Sequence, residues 1–544
     1  MNTMNDENFF ANLYPKQGGI PAEFDLPEPV NQTEYLIDGE LRQWDGPMHE
    51  VTSPVCLETE AGCKRVVIGC HPQLTGKESL EALAAASKAY DHGGGEWPTR
   101  PVQQRIEVLA DFTYRMSQKK SEIVRLLMWE IGKSYQDSEK EFDRTITYIE
   151  DTLEAMKDLD RVSSRFVIQG DIIGQIRRAP LGVVLSMGPF NYPLNETFTT
   201  LIPALLMGNA VIFKPPKFGV LLFRPLLEAF REAFPPGVVN TIYGSGAEIV
   251  SPLMASGQVD SLAFIGTSQV ADTIQQQHPK PHRLRSILGL DAKNPAILLP
   301  DADLNLAVRE CLLGSLTFNG QRCTALKILF VHASICEAFL ERFSEAVSRL
   351  KIGMPWEPGV TLTPLPEVGK PKYLDGLLQD ALEQGARIVN PNGGATTETF
   401  FFPAVVYPVE ASMRLYSEEQ FGPIVPVVPF EDIEEPMRYI VESNYGQQVS
   451  LFGKDPDKLA QLIDPLVNQV CRVNLNSQCQ RSPDTFPFTG RKDSAEGTLS
   501  VSDTLRCFSI RTLVAARADP LNKSIITDIT RKNKSNFLTT NFIL

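Results

Sequence analysis

A polar and flexible segment, Phe-Asn-Gly-Gln-Arg-Cys-Thr at residues 318–324, contains the cysteine best placed to do chemistry, Cys323. Most cysteines are small buried hydrophobic side chains, so the residue type by itself favours a position in the core. Here the neighbours are polar, and the guanidinium of Arg322 would favour the thiolate form, which acts as a nucleophile. The local sequence therefore makes Cys323 a candidate nucleophile without deciding between the two roles.

Two further segments are candidates for ligand binding. Residues 264–268, Phe-Ile-Gly-Thr-Ser, lie between a predicted strand and a predicted helix. Gly266 would let the backbone approach a ligand there, and the N-terminus of the following helix would bind a phosphate. Glu418 and Glu419 form an acidic pair that is equally typical of a solvated surface. Neither segment identifies a site by itself.

A metal site is not indicated by the cysteines or the histidines. Cys56, Cys63 and Cys70 recur every seven residues, whereas zinc ligands usually pair at about two to four residues. The six histidines show no paired spacing. Nine cysteines in 544 residues are also too scattered for a disulfide scaffold, which favours a reducing compartment, the cytoplasm.

Composition and charge narrow the class of partner. The net charge of −14 argues against a general nucleic-acid binder but permits a local basic pocket for a phosphorylated ligand. No apolar stretch approaches the roughly 20 residues that span a bilayer, so no membrane partner is expected. The first ten residues lack a basic region followed by an apolar core, so we expect no secretory signal.

Strands and helices alternate from residue 181 onwards, with short turns between them. Apolar strands are predicted at 182–186, 209–213, 238–243 and 261–265, with helical stretches between them. This alternation is typical of a parallel sheet with crossover helices. Such sheets bind ligands outside the carboxyl ends of their strands, so the turns after these strands are where a site is expected.

The length of the chain predicts more than one hydrophobic core. The predicted class is α/β, with two parallel-sheet domains and a small β extension that would bridge domains or subunits. The predicted units are an irregular N-terminal segment at 1–75, a first α/β domain at 76–162 and 179–290, a second at 291–495, a bridging element at 163–178 and 496–516, and a disordered tail at 517–544.

Five segments occur in one order along the chain: Gly-Pro-Phe-Asn-Tyr-Pro at 188–193, Phe-Lys-Pro-Pro at 213–216, Phe-Ile-Gly-Thr at 264–267, Phe-Asn-Gly-Gln-Arg-Cys at 318–323 and Glu-Glu-Gln-Phe-Gly-Pro at 418–423. Together they resemble the aldehyde dehydrogenase superfamily, over about residues 80–512. Residues 190–193 and 480–488 are similar to its non-phosphorylating glyceraldehyde-3-phosphate dehydrogenase branch. The resemblance implies that the first domain binds NADP, the second is catalytic, and the bridging element forms a homodimer or homotetramer.

The resemblance also implies a mechanism. Cys323 would attack the aldehyde carbonyl, while the side-chain amide of Asn191 and the backbone N–H of Cys323 bind the oxyanion. Hydride transfer to the nicotinamide would leave a thioester for water to hydrolyse. Phe421 would pack beside the nicotinamide and Glu419 would hold its ribose.

The cofactor is predicted to be NADP, with NAD less favoured. The position of Lys217 is commonly acidic in relatives that use NAD, because a carboxylate there binds the ribose hydroxyls. A lysine would instead attract the 2′-phosphate of NADP. Lys214 would contact the ribose or the phosphate, and Gly246, Gly266 and Thr267 are the other positions assigned to the cofactor.

The resemblance implies a small aldehyde substrate that carries a phosphate. The candidate phosphate-binding residues are Arg144, Tyr192, Arg322 and Arg481. Arginine suits this role because its planar fork grips phosphate with two hydrogen bonds. An external salt bridge is the alternative for Arg144, which lies in an amphipathic helix.

The sequence departs from the family at one position. The family carries a glutamate in Glu-Leu-Gly-Gly-Lys as the base for thioester hydrolysis, and Gly289 stands there in this chain. Asp291 would do the work, or Glu419 would activate the water, or a thiol such as coenzyme A would accept the acyl group. We favour Asp291. A catalytically impaired member that serves as a binding or scaffold protein is the alternative from another class.

Overall fold

The computed structural model describes residues 9–542 apart from 11–12, 17, 26–27 and 61. Residues 1–8, where no secretory signal is expected, lie outside the described residues. The α/β class is confirmed: two large sheets are accompanied by a small three-stranded sheet that joins distant parts of the chain. Within the described residues, no helix has the length and apolar character needed to cross a membrane.

The N-terminal region contains regular strands, so the prediction of an irregular segment at 1–75 is wrong for its described residues. The strands are β1 (Val30–Asn31), β2 (Glu34–Ile37), β3 (Glu40–Gln43), β4 (Met48–Thr59) and β5 (Gly62–Pro72). β4 and β5 form a long antiparallel ribbon, and β4 buries Val51, Val55 and Cys56. Register shifts beside Thr52 interrupt the alternation of inward and outward side chains, which hides the ribbon from pattern analysis.

Helices occupy most of residues 76–163, as the spacing of the apolar side chains predicts. They are α1 (Gly76–Tyr90), α2 (Glu96–Thr99), α3 (Val102–Ser117), α4 (Lys120–Ile131) and α5 (Tyr135–Ser163). The connection between α4 and α5 is short because Gly132 adopts a left-handed φ of 67°. Ser134 then caps α5 by accepting a hydrogen bond from the N–H of Asp137 at 3.1 Å. Lys133 is thereby held between the two helices.

The predicted strand pair of the bridging element is present. It consists of β6 (Phe166–Gln169) and β7 (Ile172–Pro180), joined at Gly170, whose φ of 59° favours glycine. The two strands pair antiparallel.

The first large sheet has the predicted alternation of strands and helices. Its elements are β8 (Val183–Met187), α6 (Asn195–Leu206), β9 (Ala210–Lys214), α7 (Arg224–Ala233), β10 (Val239–Thr241), α8 (Gly246–Ala255), β11 (Ser261–Ile265), α9 (Ser268–Gln276) and β12 (Arg285–Gly289). These five strands are parallel in the order β12-β11-β8-β9-β10. β2 extends the sheet antiparallel beside β10. The carboxyl ends of the parallel strands share one edge, where ligands bind in such sheets.

The second large sheet begins after residue 293. This region contains β13 (Asn294–Leu298), α10 (Leu304–Leu316), β14 (Leu326–His332), α11 (Ala333–Ser348), α12 (Lys370–Glu383), β15 (Arg387–Ile388), β16 (Thr396–Thr397), β17 (Phe400–Phe401), β18 (Ala404–Tyr407), α13 (Arg414–Ser417), β19 (Ile424–Phe430), α14 (Glu434–Glu442), β20 (Tyr445–Gly446), β21 (Gln448–Phe452), α15 (Pro456–Leu466), β22 (Arg472–Leu475), β23 (Arg491–Lys492) and β24 (Ala495–Glu496). The sheet order is β15-β18-β19-β14-β13-β21-β22, and only β15 pairs antiparallel.

The C-terminal region is ordered, so the prediction of a disordered tail at 517–544 is wrong for its described residues. It contains α16 (Val501–Cys507), β25 (Ser509–Arg517) and α17 (Pro520–Arg531). β25 pairs antiparallel with β7 along its whole length, which completes the bridging sheet. Beyond α17, Leu538 is buried, and the backbone of Thr539 exchanges two hydrogen bonds with the amide of Gln175. Hydrogen bonds to β7 therefore hold the end of this polar tail.

Candidate active site

Two loops meet at the carboxyl edge of the first sheet, and a third contacts them. The loop after β8 contains Asn191, whose Nδ2 donates to the carbonyl of Gln321 at 2.8 Å. The ring of Phe190, from the same loop, lies 5.9 Å from the ring of Phe421, centroid to centroid. Three of the five sequence motifs therefore contribute to one site.

The backbone before Cys323 is shaped by three residues in left-handed conformation. Phe318, Asn319 and Gly320 have φ values of 50°, 55° and 70°. Asn319 stabilises this turn, because its Nδ2 donates to the carbonyl of Thr363 at 2.9 Å and its Oδ1 accepts from the N–H of Thr363 at 3.1 Å. A Cβ at Gly320 would lie 2.7 Å from a backbone oxygen of the neighbouring loop. The Asn-Gly pair is therefore required by the path that leads the chain to Cys323.

Cys323 is partly exposed. Some of its surroundings raise the pKa of its thiol, and others lower it. Burial is the main cause that raises the thiol pKa, and the carboxylate of Glu196 raises it further, whereas Lys327 and Arg481 lower it. The carbonyl of Cys323 accepts hydrogen bonds from Asn294 Nδ2 at 2.8 Å and from Lys327 Nζ at 3.1 Å. The net shift is upward, so the thiol form predominates at neutral pH in this state.

The position of Arg322 beside Cys323 in the sequence predicts that its guanidinium favours the thiolate. In the structure this guanidinium binds the backbone at the end of α10 instead. Its Nη2 donates to the carbonyls of Leu313 at 3.1 Å and Gly314 at 2.8 Å, at the end of α10. Its Nε is buried and has no hydrogen-bond partner among the described residues. The cations that lower the thiol pKa are the two named above.

A buried ion pair holds the loop of Asn191 from behind. Lys133 and Glu141 form the pair, and both side chains are fully buried. Lys133 Nζ also donates to the carbonyl of Asn191 at 2.8 Å, and burial lowers the lysine pKa. Glu141 Oε1 accepts from the backbone N–H groups of Leu194 and Asn195, at 3.1 Å each. The pair thereby fixes both ends of the loop that presents the Asn191 amide.

Two lysines follow β9 at the edge of the first sheet. Lys214 ends the strand, and burial lowers its pKa to about 8. Its Nζ donates to the carbonyl of Pro215 at 3.1 Å. Lys217 is exposed, with its Nζ 5.3 Å from the ring centroid of Phe218. Lys217 is therefore more accessible to an anionic ligand than Lys214, whose contact with the cofactor stays a prediction.

Two helix N-termini lie after strands of the same sheet. α8 begins at Gly246, which is exposed and has no atom within 4 Å of the place that a Cβ would take. Thr267 caps α9, its Oγ1 accepting from the N–H of Val270 at 3.4 Å. At Gly266, a Cβ would lie 2.3 Å from the ring of Phe264, so this turn has no room for a side chain. The N-terminus of α8 is therefore open to an anionic group, whereas the first N–H of α9 donates to the carboxylate of Asp291.

Glu419 lies in a buried cluster with two lysines. Its Oε1 is 2.5 Å from Lys327 Nζ, and burial raises its pKa although Lys327 lowers it. Lys293 donates to the carbonyl of Glu418 at 2.6 Å. Burial lowers the pKa of Lys293 to about 7. The cluster fixes the loop that carries Glu419.

Comparison with known proteins identifies the family. The aldehyde dehydrogenase family profile matches residues 53–514. This chain belongs to the aldehyde dehydrogenase family. It is 33% identical over 454 residues to the NADP-dependent glyceraldehyde-3-phosphate dehydrogenase of Streptococcus equinus, and the match covers 81% of this chain and 91% of that protein. The pea (Pisum sativum) protein of the same name is 30% identical over 503 residues, 89% of this chain and 97% of that protein.

A solved structure shows the same fold. The crystal structure of the NADP-dependent glyceraldehyde-3-phosphate dehydrogenase from Bacillus halodurans, complexed with NADP, has a TM-score of 0.82 and 29% identity, covering 90% of this chain and all of that one. This aldehyde dehydrogenase is therefore an oxidoreductase that acts on aldehydes with NAD(P). The exposed N-terminus of α8 fits a phosphate of such a cofactor.

Two of the four predicted phosphate-binding residues of this aldehyde dehydrogenase are paired with carboxylates. Arg144 makes two hydrogen bonds to Asp484, at 2.9 and 2.7 Å. Arg481 is buried, donates to Asp484 at 3.0 Å and pairs with Glu196. The four charges alternate in sign and sum to zero, so a phosphate must compete with carboxylates for both arginines.

Tyr192, the remaining candidate, lies between the ion pair and the cysteine loop. Its ring centroid is 3.6 Å from Lys133 Nζ and 6.0 Å from the ring of Phe318. Burial raises its pKa to about 12, so the hydroxyl stays protonated and is available as a donor to an anion.

The carboxylate of Asp291 binds the first residue of α9. Its Oδ2 accepts from the N–H of Ser268 at 2.7 Å and from the Oγ of Ser268 at 2.8 Å. These bonds tie the end of the first sheet to the first residue of α9. The role of Asp291 as the hydrolytic base stays a prediction. Its Oδ2 already accepts two hydrogen bonds from Ser268.

The three evenly spaced cysteines, for which the sequence predicts no metal site, lie on β4 and β5. Cys56 and Cys63 are free thiols, and burial raises the pKa of Cys56 to about 11, as expected for a core cysteine. In the described part of the chain, no group of three or more His, Cys, Asp or Glu side chains is placed to hold a metal ion.

Sequence reasoning missed five charged residues of the site: Lys133, Glu141, Glu196, Lys327 and Asp484. Two of them carried a usable signal. Lys133 directly follows a glycine between two predicted helices, and Glu196 is an acidic residue just after the Asn-Tyr-Pro motif. Asp484 lies within the segment 480–488 that carries part of the resemblance, whereas Glu141 and Lys327 stand in stretches whose spacing gives no indication of a site.

Proposed function

We propose that this aldehyde dehydrogenase oxidises glyceraldehyde 3-phosphate to the carboxylic acid with NADP, without phosphorylation, through a thioester on Cys323. The observation that carries the proposal is the hydrogen bond from Asn191 Nδ2 to the carbonyl of Gln321. It brings an amide donor to the loop that presents the nucleophile. Relatives named for the same reaction support the choice of substrate.

The reaction begins when the Cys323 thiol loses its proton to solvent and the resulting thiolate bonds to the aldehyde carbon. Asn191 Nδ2 and the N–H of Cys323 bind the alkoxide that forms, because pre-organised donors act where charge develops. NADP would supply the hydride acceptor when bound, and Glu419 and Phe421 would hold its nicotinamide end. The carbon–sulfur bond remains, and water releases the acid.

A phosphorylated substrate would be bound by the arginine cluster and Tyr192. Arg322 has a buried Nε without a partner among the described residues, and Tyr192 offers a protonated hydroxyl. Arg144 and Arg481 would have to bind the phosphate while they also bind their carboxylate partners. They would therefore bind phosphate more weakly than free arginines would.

Comparing two aldehydes tests the substrate. With NADP in excess, we expect kcat/KM for glyceraldehyde 3-phosphate to exceed that for glyceraldehyde by about tenfold or more, since one charged hydrogen bond contributes about 1.5–3 kcal/mol. NADPH formation, followed by its absorbance, is the measurement. Equal values would contradict the phosphate site. A many-fold increase with added coenzyme A would favour the acylating alternative.

The Lys217→Glu variant tests the cofactor. A carboxylate at this exposed position repels the 2′-phosphate and can hold the ribose hydroxyls of NAD. We expect the ratio of kcat/KM for NADP over NAD to fall by about tenfold or more, which is about 1.4 kcal/mol. Lys280→Glu, at an exposed position of the same domain, is the matched control. An unchanged ratio in the Lys217→Glu variant would contradict NADP preference through this lysine.

A homo-oligomer is also part of the proposal. The bridging sheet exposes large apolar side chains, among them Val167, Ile168, Ile510 and Leu513, each with half or more of its surface accessible. A second copy of the chain would cover them.

A further inference from the structure

The end of β12 offers no carboxylate and little space for one. Gly289 is the last residue of this strand. A Cβ there would lie 3.0 Å from Leu499 Cδ1 and 3.4 Å from Ile265 Cγ1. An apolar side chain thus packs directly over the position, and the base for hydrolysis must come from another element.

Glu196 is a carboxylate that is linked to this region through Arg481. It lies in the first turn of α6, five residues after Asn191, and its N–H donates to the carbonyl of Tyr192 at 3.1 Å. Its side chain is 9% exposed. Oε2 pairs with Arg481, while Oε1 has no hydrogen-bond partner in the described part of the chain. One carboxylate oxygen is therefore free to accept a proton.

Arg481 connects Glu196 to the vacant position. Its Nη1 is on Glu196, and its Nη2 donates to the carbonyl of Leu499 at 2.8 Å, the residue whose side chain covers Gly289. Among the charged side chains around Cys323, Glu196 acts most strongly on the thiol. Arg481 thus links the Glu196 carboxylate to the place where a base is missing, and this carboxylate also acts on the Cys323 thiol.

We propose that Glu196 is the base that activates water for hydrolysis of the Cys323 thioester. Oε1 accepts a proton from water as the water oxygen bonds to the thioester carbon. The carbon–sulfur bond then breaks, the carboxylic acid leaves, and the Cys323 thiolate regains the proton. The overall change is thioester plus water to acid plus thiol. This inference rests on the proposed function.

The two competing carboxylates, Asp291 and Glu419, have partners on other elements. Asp291 Oδ2 accepts two hydrogen bonds from Ser268. Glu419 is in contact with Lys327, and its effect on Cys323 is smaller than that of Glu196. In the proposed reaction Glu419 also holds the cofactor, which occupies it during turnover.

The Glu196→Gln variant tests the proposal in pre-steady-state kinetics. We expect a full burst of NADPH, close to one per active site, followed by a kcat about 100-fold or more below that of the wild type, because general bases contribute on that scale. Added hydroxylamine attacks the thioester without a base, so it should raise turnover of the variant many-fold. Glu196→Asp keeps a carboxylate, and we expect it to retain the acid limb of the deacylation pH profile that Glu196→Gln loses.

Asp291→Asn and Glu419→Gln are measured in parallel. Turnover of Glu196→Gln within about twofold of the wild type, or loss of its burst, would overturn the proposal. A slow phase after a full burst in Asp291→Asn alone would return the role to Asp291. If the wild type itself forms no NADPH with any aldehyde, the proposed function fails, which is distinct from a failure at Glu196.

Discussion

Replacing Cys323 by alanine is expected to abolish aldehyde oxidation, lowering kcat by about 10⁴-fold or more, because no other group can form the covalent intermediate. The protein should still bind NADP, since the cofactor contacts proposed at Lys217 and the N-terminus of α8 do not involve Cys323. Steady-state NADPH formation and NADP titration by fluorescence are the measurements.

Cys471→Ala is the matched control for this variant. Cys471 is also partly exposed and free, and burial raises its pKa as well, but it lies beside β22, away from the Asn191 loop. We expect its activity to equal that of the wild type. Full activity in Cys323→Ala, or inactivity in both variants, would contradict the assignment of the nucleophile.

Replacing Asn191 by alanine is expected to lower kcat by about 10²–10³-fold, the usual cost of losing one oxyanion donor. The amide is held at the Cys323 loop by its bond to Gln321 and from behind by Lys133, so its position does not depend on the substrate. The KM for the aldehyde should change much less than kcat, because the donor acts on charge that develops in the transition state.

The Asn191→Asp variant removes the N–H donor but keeps the shape of the side chain. The two residues are nearly isosteric, but a carboxylate offers no N–H and repels an oxyanion. We expect a loss at least as large as in Asn191→Ala, with a thermal unfolding temperature close to that of the wild type. A near-normal kcat in the Asn191→Asp variant would show that this side chain does not bind the oxyanion.

The sequence predicted the parts of the fold that are local. The strands of the first sheet are short apolar runs separated by turns, so β8, β9, β10 and β11 lie where the alternation places them. The bridging strands β6 and β7 were likewise marked by a glycine turn. The ribbon of β4 and β5 was missed because its register shifts disrupt a period of two.

The motifs predicted the nucleophile loop and its neighbours but not the charges around them. Arg481 and Glu196 are 285 residues apart, and Arg144 and Asp484 are 340 apart. Which carboxylate neutralises which arginine depends on how α5, α6 and the C-terminal loop pack together, and no local pattern encodes that. Arginines interpreted as free phosphate ligands from sequence are thus members of a balanced buried network.

Intact-protein mass spectrometry of acid-quenched enzyme tests the covalent intermediate most directly. NADP and glyceraldehyde 3-phosphate are mixed with the enzyme, and the reaction is quenched during the burst. The mass of the intact protein should then show one added acyl group, and a digest should place it in the peptide that contains Cys323. It should rise with the NADPH burst and persist longer in Glu196→Gln than in the wild type. Turnover without an acyl group on Cys323, or with the group on another cysteine, would contradict a Cys323 thioester.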